Sequence, residues 1–593
     1  MKLSDYVAQF LSKHTKHVFV GTGGCIIHVL DSIAQQKKVK VIPCQNEQGS
    51  AIAAEAYTRV SGKLGVGIAT SGPGVVNLIQ GIACAYYDSI PTLFITGACP
   101  TSQLKGESKV RQLGFQEMDV VGVMKPLTKY AVLLTDPKRI RYELEKMVYT
   151  AYEGRPGPVL MDLPDDLQRA QIEPENLERF IPPEINYRVY EGQINEILRL
   201  IKGARRPVVI VGAGVKLAKA EGLCRKFLDN SGIPYAPTWA TVDLFVDDEP
   251  GLTGIFGVSS NRAGNFSIQN SDLIISLGSR LDTHETGSNP SRFAPGAKKV
   301  VVDIDRDELD KKNGLNIDVK VLCDLKTFLT EINKRKISGP DLSTWKKQIL
   351  SWKERYPICT PELYNQAKKV NPYVFMNELS KETSKGDVVI TDAGATLTWT
   401  MQGYKIRRPQ MLFSAYNHSP MGYALPASIG AQFAAPDKRV ICIIGDGSIQ
   451  MNVQELETVN YNKLPIKIIV IDNGEYGIIK QTQDTWMNSR YVATDPSCGL
   501  GFPDLCKVAK AYGIKSVVID KHKDLNKKLR DVLKFKGPIL CDVKIKSGEK
   551  IIPKLEFGRP IEDLSPLLSR DEFARNMIAT NEASQQLVGA GIK

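Results

Sequence analysis

No Cys-x-x-Cys pair occurs in the 593 residues, although eleven cysteines are present. Cys25, Cys84, Cys224, Cys442 and Cys541 are scattered and mostly apolar in context. That pattern excludes a zinc ribbon and suits free core thiols in a reducing compartment better than disulfides. No uninterrupted apolar run reaches membrane-spanning length, so no membrane segment is expected. Met1-Lys2-Leu3-Ser4-Asp5 carries charge where a secretory signal needs an apolar stretch, and a cytoplasmic location is expected. Clustered basic residues are also missing. The net charge is +12, but the lysines are dispersed and no recognised nucleic-acid motif accompanies them. Attraction of small anionic substrates and cofactors, or a solvated basic surface, accounts for that charge without a nucleic-acid partner. What is present, 42% hydrophobic and 24% charged residues, is the composition of a globular protein, and disordered and fibrous classes are excluded.

A chain this long exceeds one hydrophobic core, so roughly two to four domains are expected. Short β-branched runs alternate with helical stretches, the pattern of parallel sheets covered by helices. The first block, residues 1–171, has strands predicted at 16–20, 39–43, 65–70, 92–97 and 159–163, with a helix at 49–61. A polar, proline-containing linker follows. The second block, 189–337, opens with a helix at 193–202 and has strands at 207–211, 273–277 and 299–304 before Ser338-Gly339-Pro340. The third, 365–546, has strands at 387–391, 439–444, 466–472 and 539–543. Several of these strands run into glycine, asparagine or aspartate, as α/β sheets do where they present a ligand site. A charged tail, 547–593, is expected to wrap the surface or lie over the active site. The fold class is therefore α/β, three domains, each a mostly parallel sheet flanked by helices.

The most informative segment is Gly445-Asp446-Gly447-Ser448, at the end of an apolar strand, followed after a helical stretch by a second apolar strand ending at Asp472-Asn473-Gly474-Glu475. Mg²⁺ takes a few hard oxygen ligands and shares its shell with phosphate oxygens. The Asp446 carboxylate and the Asn473 amide suit that role, and the small Gly447 lets a diphosphate approach the helix start. Either half alone would be an ordinary strand-to-turn junction; the two together, with 25 residues between Gly447 and Asn473, point to a metal and phosphate site. In the first block, Cys44-Gln45-Asn46-Glu47-Gln48-Gly49 places Glu47 at the end of a strand and the start of a helix. By itself such an acid is favoured by the helix dipole.

These motifs resemble those of thiamine-diphosphate enzymes. The resemblance implies that Asp446, Asn473 and the main-chain carbonyl of Glu475 hold Mg²⁺, which bridges to the cofactor diphosphate. It implies that Glu47 hydrogen-bonds the aminopyrimidine N1′, a role suited to a carboxyl group able to share its proton in an apolar pocket. Met421, in His418-Ser419-Pro420-Met421-Gly422, matches the apolar wedge that bends the cofactor. By the same resemblance Gly23, Gly24, Pro73, Asn77, Gly394, Ala395, Thr396, Ser419, Gly445, Gly447, Ser448 and Gly477 line the thiamine diphosphate site.

Within that family the stretch from Val18 to about Val543 resembles the catalytic subunit of acetolactate (acetohydroxyacid) synthase. Matching runs include Thr70-Ser71-Gly72-Pro73-Gly74, Asp88-Ser89-Ile90-Pro91, Phe115-Gln116-Glu117 and Met451-Asn452-Val453-Gln454-Glu455-Leu456. The resemblance implies that Phe115 and Gln116 line the substrate pocket with Lys129 near it, that pyruvate or a similar 2-keto acid is the donor and a carbonyl compound the acceptor, and that the chain forms a homodimer or homotetramer. It also implies FAD on the middle domain through Gly278, Arg280, Asp303 and Asp324, although the family's second arginine is His284 here. The six histidines, His14, His17, His28, His284, His418 and His522, include no adjacent pair, whereas aldehyde-releasing relatives carry one; ligation is expected over simple decarboxylation. In residues 477–484 Thr482 stands where the family has tryptophan, and loss of a ring able to bury about 150–250 Å² opens the acceptor pocket. Lys480, in place of an apolar residue, is expected to meet an anionic acceptor. A keto-sugar nucleotide acceptor is therefore one alternative to acetolactate synthesis. A catalytically idle paralogue serving as a regulatory or assembly partner is another.

Overall fold

Seventeen strands build three sheets in a computed structural model that describes residues 1–365 and 369–579. The first sheet comprises β1 (His17–Val20), β2 (Lys40–Pro43), β3 (Gly65–Ala69), β4 (Thr92–Ala98), β5 (Tyr130–Leu133) and β6 (Pro158–Pro164), in the order β2-β1-β3-β4-β6-β5. The second comprises β7 (Pro207–Val211), β8 (Tyr235–Pro237), β9 (Leu273–Leu277), β10 (Lys298–Asp303) and β11 (Val319–Leu322), in the order β11-β10-β9-β7-β8. The third comprises β12 (Val388–Thr391), β13 (Met411–Phe413), β14 (Val440–Gly445), β15 (Lys467–Asp472), β16 (Lys515–Ile519) and β17 (Ile539–Lys544), in the order β13-β12-β14-β15-β17-β16. The ladders of the first two sheets are parallel, as are those joining β12, β14, β15, β17 and β16.

The first and third sheets have the same strand order, shifted by eleven positions along the chain. In each, the order reverses between the first strand and the third, β1 beside β3 and β12 beside β14. Loops leaving the carboxyl ends of such a pair diverge to opposite faces and open a crevice, where open α/β sheets bind ligands. The strands predicted from sequence are the central, mostly buried ones and the edge strand β2; of the other edge strands, β5, β11 and β16 are only partly buried and β8 and β13 are three residues long, and none stands out as an apolar run.

Met1–Glu184, Gly386–Thr396 and Phe413–Ser547 form one compact unit, which holds the first sheet and the third from β12 to β16. The two sheets meet through helices made of small residues. Ala51, Ala53, Ala54 and Ala56 of the helix Glu47–Ser61 are all fully buried. A β-carbon on Gly430, in the helix Ala424–Ala434, would stand 2.0 Å from the Ala53 carbonyl oxygen. Only glycine lets these backbones approach so closely. Across this seam the buried Glu55 bonds Arg59 at 2.5 Å and accepts from the Tyr423 hydroxyl at 2.7 Å, while Arg59 also reaches Asp88 at 2.6 Å. A buried network of this kind specifies register rather than adding much stability.

Ile185–Lys385, Leu397–Leu412 and Gly548–Lys593 form the second unit, around the middle sheet. The charged tail wraps this sheet's helices: Arg262 donates to the Leu564 carbonyl at 3.1 Å, Asn265 to that of Ile561 at 2.5 Å, and Trp352 to the Asn576 side chain at 2.9 Å. Its last residues, 580–593, lie outside the described residues. No described helix is long and apolar enough to cross a membrane.

Candidate active site

The crevice of the third sheet collects the acid and the glycines singled out in the sequence. Asp446 directly follows β14 and opens the short helix Asp446–Ile449. It is 4% exposed, and its carboxylate accepts main-chain N–H groups from Gly447 at 2.7 Å, Asn473 at 3.1 Å and Gly474 at 2.6 Å. Burial and then the neighbouring Asp472 carboxylate push the Asp446 carboxyl upward from its ordinary range. Asp472 in turn is bonded by Lys544, which also reaches Asp542 at 2.7 Å. Among the described residues no cation pairs with this buried acid, and a dication is a natural countercharge for it. Among the described residues no cluster of three or more histidine, cysteine or carboxylate side chains could hold a metal. An Asp–Asn–carbonyl set is of another kind; its hard oxygen donors fit Mg²⁺ completed by phosphate oxygens.

Three segments converge on this acid. A β-carbon on Gly477 would stand 2.8 Å from the Asn473 amide nitrogen and 3.9 Å from the Ala395 side chain. One on Gly394, whose φ is +64°, would stand 3.6 Å from Ile478, and one on Gly445 3.2 Å from the Thr396 hydroxyl. On Gly447 it would run into the Tyr476 ring at 2.2 Å. Residues 394–396, 445–448 and 473–478 therefore form one glycine-lined cradle, into which the helices Gly394–Gly403 and Gly477–Trp486 start. Main-chain N–H groups at helix starts are suited to phosphate. Ser419, at φ +48°, and Met421 lie on the loop beside it, where the Gly422 N–H donates to Asp392 at 3.0 Å.

The crevice of the first sheet gathers a second group. Glu47 opens its helix just after Asn46, whose side chain caps it by accepting the Gln48 N–H at 2.8 Å. Asn77, from the helix that Pro73 begins, donates to the Glu47 carboxylate at 2.9 Å. A β-carbon on Gly21 would lie 2.2 Å from the Glu47 side chain, one on Gly74 3.2 Å from its carboxylate, and one on Gly23 2.5 Å from Thr70. Gly24 opens the short turn Gly24–Ile26 next to it, with open space around its α-carbon. Gly72 brings in the substrate-pocket loop, since a β-carbon there would touch the Gln116 carbonyl at 2.6 Å. Gln116 is left-handed at φ +59°, and Phe115 beside it is 82% exposed. Glu117 holds this loop by accepting N–H groups from Lys105, from Leu113 at 2.7 Å and from Gly114 at 3.3 Å.

Two lysines singled out in the sequence are engaged with other groups of the chain. Lys129, expected near the Phe115 and Gln116 pocket, precedes β5 at the amino end of the sheet, and its ammonium donates to the Glu153 carbonyl. Lys480, expected to meet an anionic acceptor, is engaged by acids of its own chain. It bridges Glu475 at 2.9 Å and Asp495 at 2.7 Å, and its ammonium lies 4.6 Å from the centre of the Tyr491 ring. Burial opposes its charge, but the bonds to Asp495 and Glu475 hold it above the ordinary lysine range. Thr482 is exposed and donates to the Ile478 carbonyl of its own helix at 3.0 Å. The exposed Trp486 follows one turn later.

In the second unit the nucleotide-site candidates stand at the carboxyl ends of three adjacent strands: Gly278 and Arg280 after β9, Asp303 at the end of β10, Asp324 after β11. Gly212, Gly214 and Gly278 interlock; a β-carbon on Gly212 would stand 2.3 Å from the Gly278 carbonyl oxygen, and one on Gly278 2.7 Å from the Gly214 α-carbon. Arg280 pairs with Asp282 at 3.2 Å and Glu308 at 3.4 Å. The Asp303 carboxylate accepts the Asp305 N–H at 2.9 Å, and Asp324 caps the helix Leu325–Ile332. His284, in place of the second arginine, packs its ring 4.3 Å from that of Trp239, and burial lowers its pKa. Burial and Asp282 push the neighbouring Glu285 up to about 8.

Residues with no role from sequence alone hold these loops in place. Glu455, fully buried, accepts the Gln45 N–H at 3.1 Å and the Asn46 N–H at 3.0 Å, just ahead of Glu47. Asp392 acts likewise around Met421, accepting the Gly422 and Ala424 N–H groups. A buried acid, at a helix start for Glu455 and after a strand for Asp392, was the only signal available for them.

Comparison with known proteins agrees with this architecture. Three family models match the chain: thiamine pyrophosphate enzyme, N-terminal TPP binding domain, over residues 1–123; the central domain over 194–332; and the C-terminal TPP binding domain over 392–543. The acetolactate synthase large subunit of Porphyra purpurea is 32% identical over 559 residues, 92% of this chain and 91% of that protein. The mitochondrial acetolactate synthase catalytic subunit of Saccharomyces cerevisiae is 32% identical over 567 residues, 92% of this chain and 81% of that protein. The acetolactate synthase isozyme 1 large subunit of Escherichia coli is 30% identical over 561 residues, 94% and 96% respectively. With two sheets of one topology, each opening a crevice lined by the residues above, and with these matches along nearly its whole length, the chain belongs to the thiamine pyrophosphate enzymes, in the acetolactate synthase family.

Proposed function

We propose that this enzyme decarboxylates pyruvate or a similar 2-keto acid and transfers the remaining two-carbon unit to a second carbonyl compound, with thiamine diphosphate and Mg²⁺ bound. The observation that carries the proposal is the cradle of residues 394–396, 445–448 and 473–478 around the buried Asp446. Asp446, Asn473 and the Glu475 carbonyl would hold Mg²⁺, and the N–H groups of the cradle would hold the diphosphate. Thiamine diphosphate supplies the nucleophilic carbon that takes up the 2-keto acid and accepts the electron pair left by carbon dioxide. Glu47, oriented by Asn77, would hold the proton at the aminopyrimidine nitrogen. Met421 would set the angle between the cofactor rings, and Phe115 and Gln116 would position and enclose the substrate.

The site is completed, on this proposal, by a second copy of the chain in a homodimer or homotetramer, with Glu47 of one copy meeting the phosphate cradle of the other. The exposed Leu113 and Phe115 beside the Glu47 group support a covered face there. Acetolactate is the product most in keeping with the relatives. A larger acceptor, such as a keto-sugar nucleotide, is favoured by one observation: Thr482 is exposed on its helix and carries no ring. The deciding experiment incubates the enzyme with pyruvate, thiamine diphosphate and Mg²⁺, with and without a panel of keto acids and keto sugars, and identifies products by mass spectrometry. Rapid acetolactate formation that no sugar competes with would defeat the larger-acceptor alternative. Absence of cofactor binding in calorimetry would leave only the idle-paralogue alternative.

FAD on the middle domain is part of the same proposal, held by Gly278, Arg280, Asp303 and Asp324. Support comes from their place at the carboxyl ends of β9, β10 and β11, where α/β sheets take nucleotides. The purified protein should be yellow, with a flavin spectrum that survives gel filtration. Colourless protein that takes up no flavin on incubation would count against it.

A further inference from the structure

The Asp392 side chain touches three of the segments that meet at the proposed cofactor site: the Met421 loop, the diphosphate turn and the Gly445-Asp446-Gly447-Ser448 motif. It follows β12 at the crevice and is 0% exposed. One carboxylate oxygen accepts the Gly422 N–H at 3.0 Å and the other the Ala424 N–H at 2.8 Å, so the carboxylate brackets the loop just after Met421. The Ala393 N–H and the Ser448 hydroxyl also donate to it. Ala393 leads into the turn 394–396, and Ser448 belongs to the Gly445-Asp446-Gly447-Ser448 motif. The Asp392 carbonyl accepts the Ser414 hydroxyl at 3.1 Å, and its N–H donates to Ile443 of β14 at 3.0 Å. The far side of the Met421 loop is held by Asn452, which is fully buried and donates to the Gly422 carbonyl at 2.9 Å.

All four groups that donate to this carboxylate are neutral. A buried carboxylate without a cation partner is costly, and burial pushes Asp392 upward even against the bonds from Ala424, Ala393, Gly422 and Ser448. Such an acid is retained where only two acceptor oxygens facing several donors will serve. An amide of the same shape would turn one oxygen into a donor opposite the Gly422 or Ala424 N–H, and the loop would have to move.

We propose that Asp392 is a positioning residue for the cofactor: its carboxylate registers the Met421 loop against the diphosphate turn and the metal motif, so that ring angle and phosphate anchorage are set together. This rests on the thiamine diphosphate function proposed above. It concerns the distance between the cofactor's two ends, which neither Met421 nor the phosphate cradle controls alone.

The test is Asp392→Asn in the full-length enzyme, with thermal melting, calorimetric titration with thiamine diphosphate and Mg²⁺, and the rate of hydrogen–deuterium exchange at C2 of the bound cofactor measured at saturation by quench and NMR. Losing one acceptor and gaining an opposed donor should weaken cofactor binding about tenfold and, with the cofactor saturating, slow C2 exchange about tenfold or more. Met421→Ala should slow exchange in the same way. A merely structural residue would lower the melting temperature and leave exchange at saturation unchanged, and that result would overturn the proposal. Should Asp392→Asn fail to fold, Asn452→Ala, which loosens the other side of the same loop, should slow exchange by a smaller factor, about threefold; wild-type exchange in that variant would overturn it equally. Wild-type protein that neither binds thiamine diphosphate nor accelerates C2 exchange would sink the proposed function and this inference with it. Fast wild-type exchange matched by Asp392→Asn would sink the inference alone.

Discussion

Glu47→Gln is expected to lower turnover of pyruvate about a thousandfold, within the range typical of losing a positioned proton donor or acceptor, while the fold stays intact. The side chain is half-buried and its departure as an acid leaves the local structure supported. The helix cap is Asn46, not Glu47. The preceding strand end is tied to Glu455 through the N–H groups of Gln45 and Asn46, and a glutamine of the same shape still offers an oxygen to Asn77. It cannot, however, hold a proton for the cofactor ring. The variant should therefore melt within a few degrees of wild type and still bind thiamine diphosphate in calorimetry, because the phosphate cradle is untouched. Steady-state rates with pyruvate and C2 exchange on the bound cofactor should both collapse. Turnover within tenfold of wild type would remove Glu47 from the chemistry.

Asp446→Ala is expected to abolish Mg²⁺-dependent cofactor binding, weakening it by at least about a hundredfold, a loss of roughly 3 kcal/mol or more. Wild-type protein treated with a chelator should behave similarly, and only the wild type should recover on return of Mg²⁺. The apoprotein should tolerate the change better than a buried acid usually would. Burial and Asp472 already disfavour the Asp446 charge, so its removal relieves a repulsion even as the Gly447, Asn473 and Gly474 N–H groups lose their acceptor. These effects oppose each other, and the metal-free melting temperature should shift by a few degrees at most. Calorimetry that gives wild-type affinity for thiamine diphosphate and Mg²⁺ in the variant would refute the metal assignment. A collapse of the apoprotein fold would mean that the acid serves the structure instead.

Much of the cradle was legible in the sequence because its chemistry is local. An acid between two glycines at the end of an apolar run, and an asparagine at the end of the next, are adjacent in space because β14 and β15 are neighbouring parallel strands. The central strands were legible for a related reason: a strand buried on both faces must be apolar throughout. Apart from β2, the edge strands were not, since β5, β11 and β16 are partly buried and take their identity from pairing with one neighbour, and β8 and β13 are only three residues long.

By itself the sequence determined the α/β class, the strand-end acid between two glycines at Gly445-Asp446-Gly447 and the place of Glu47 at a helix start, all properties of contiguous residues. Tertiary structure alone decided who partners whom. Lys480 looks like a free cation in a linear motif, yet Asp495 and Glu475 neutralise it once the chain turns back on itself. Lys129 is close to Gln116 in the chain, but the strand that follows it runs from the opposite end of the sheet. Asp392 is one more strand-end acid until residues 30 and 32 positions away present their N–H groups to it. The repeated strand order of the first and third sheets is likewise invisible in the sequence, because parallel pairing joins segments that the chain separates by whole helices.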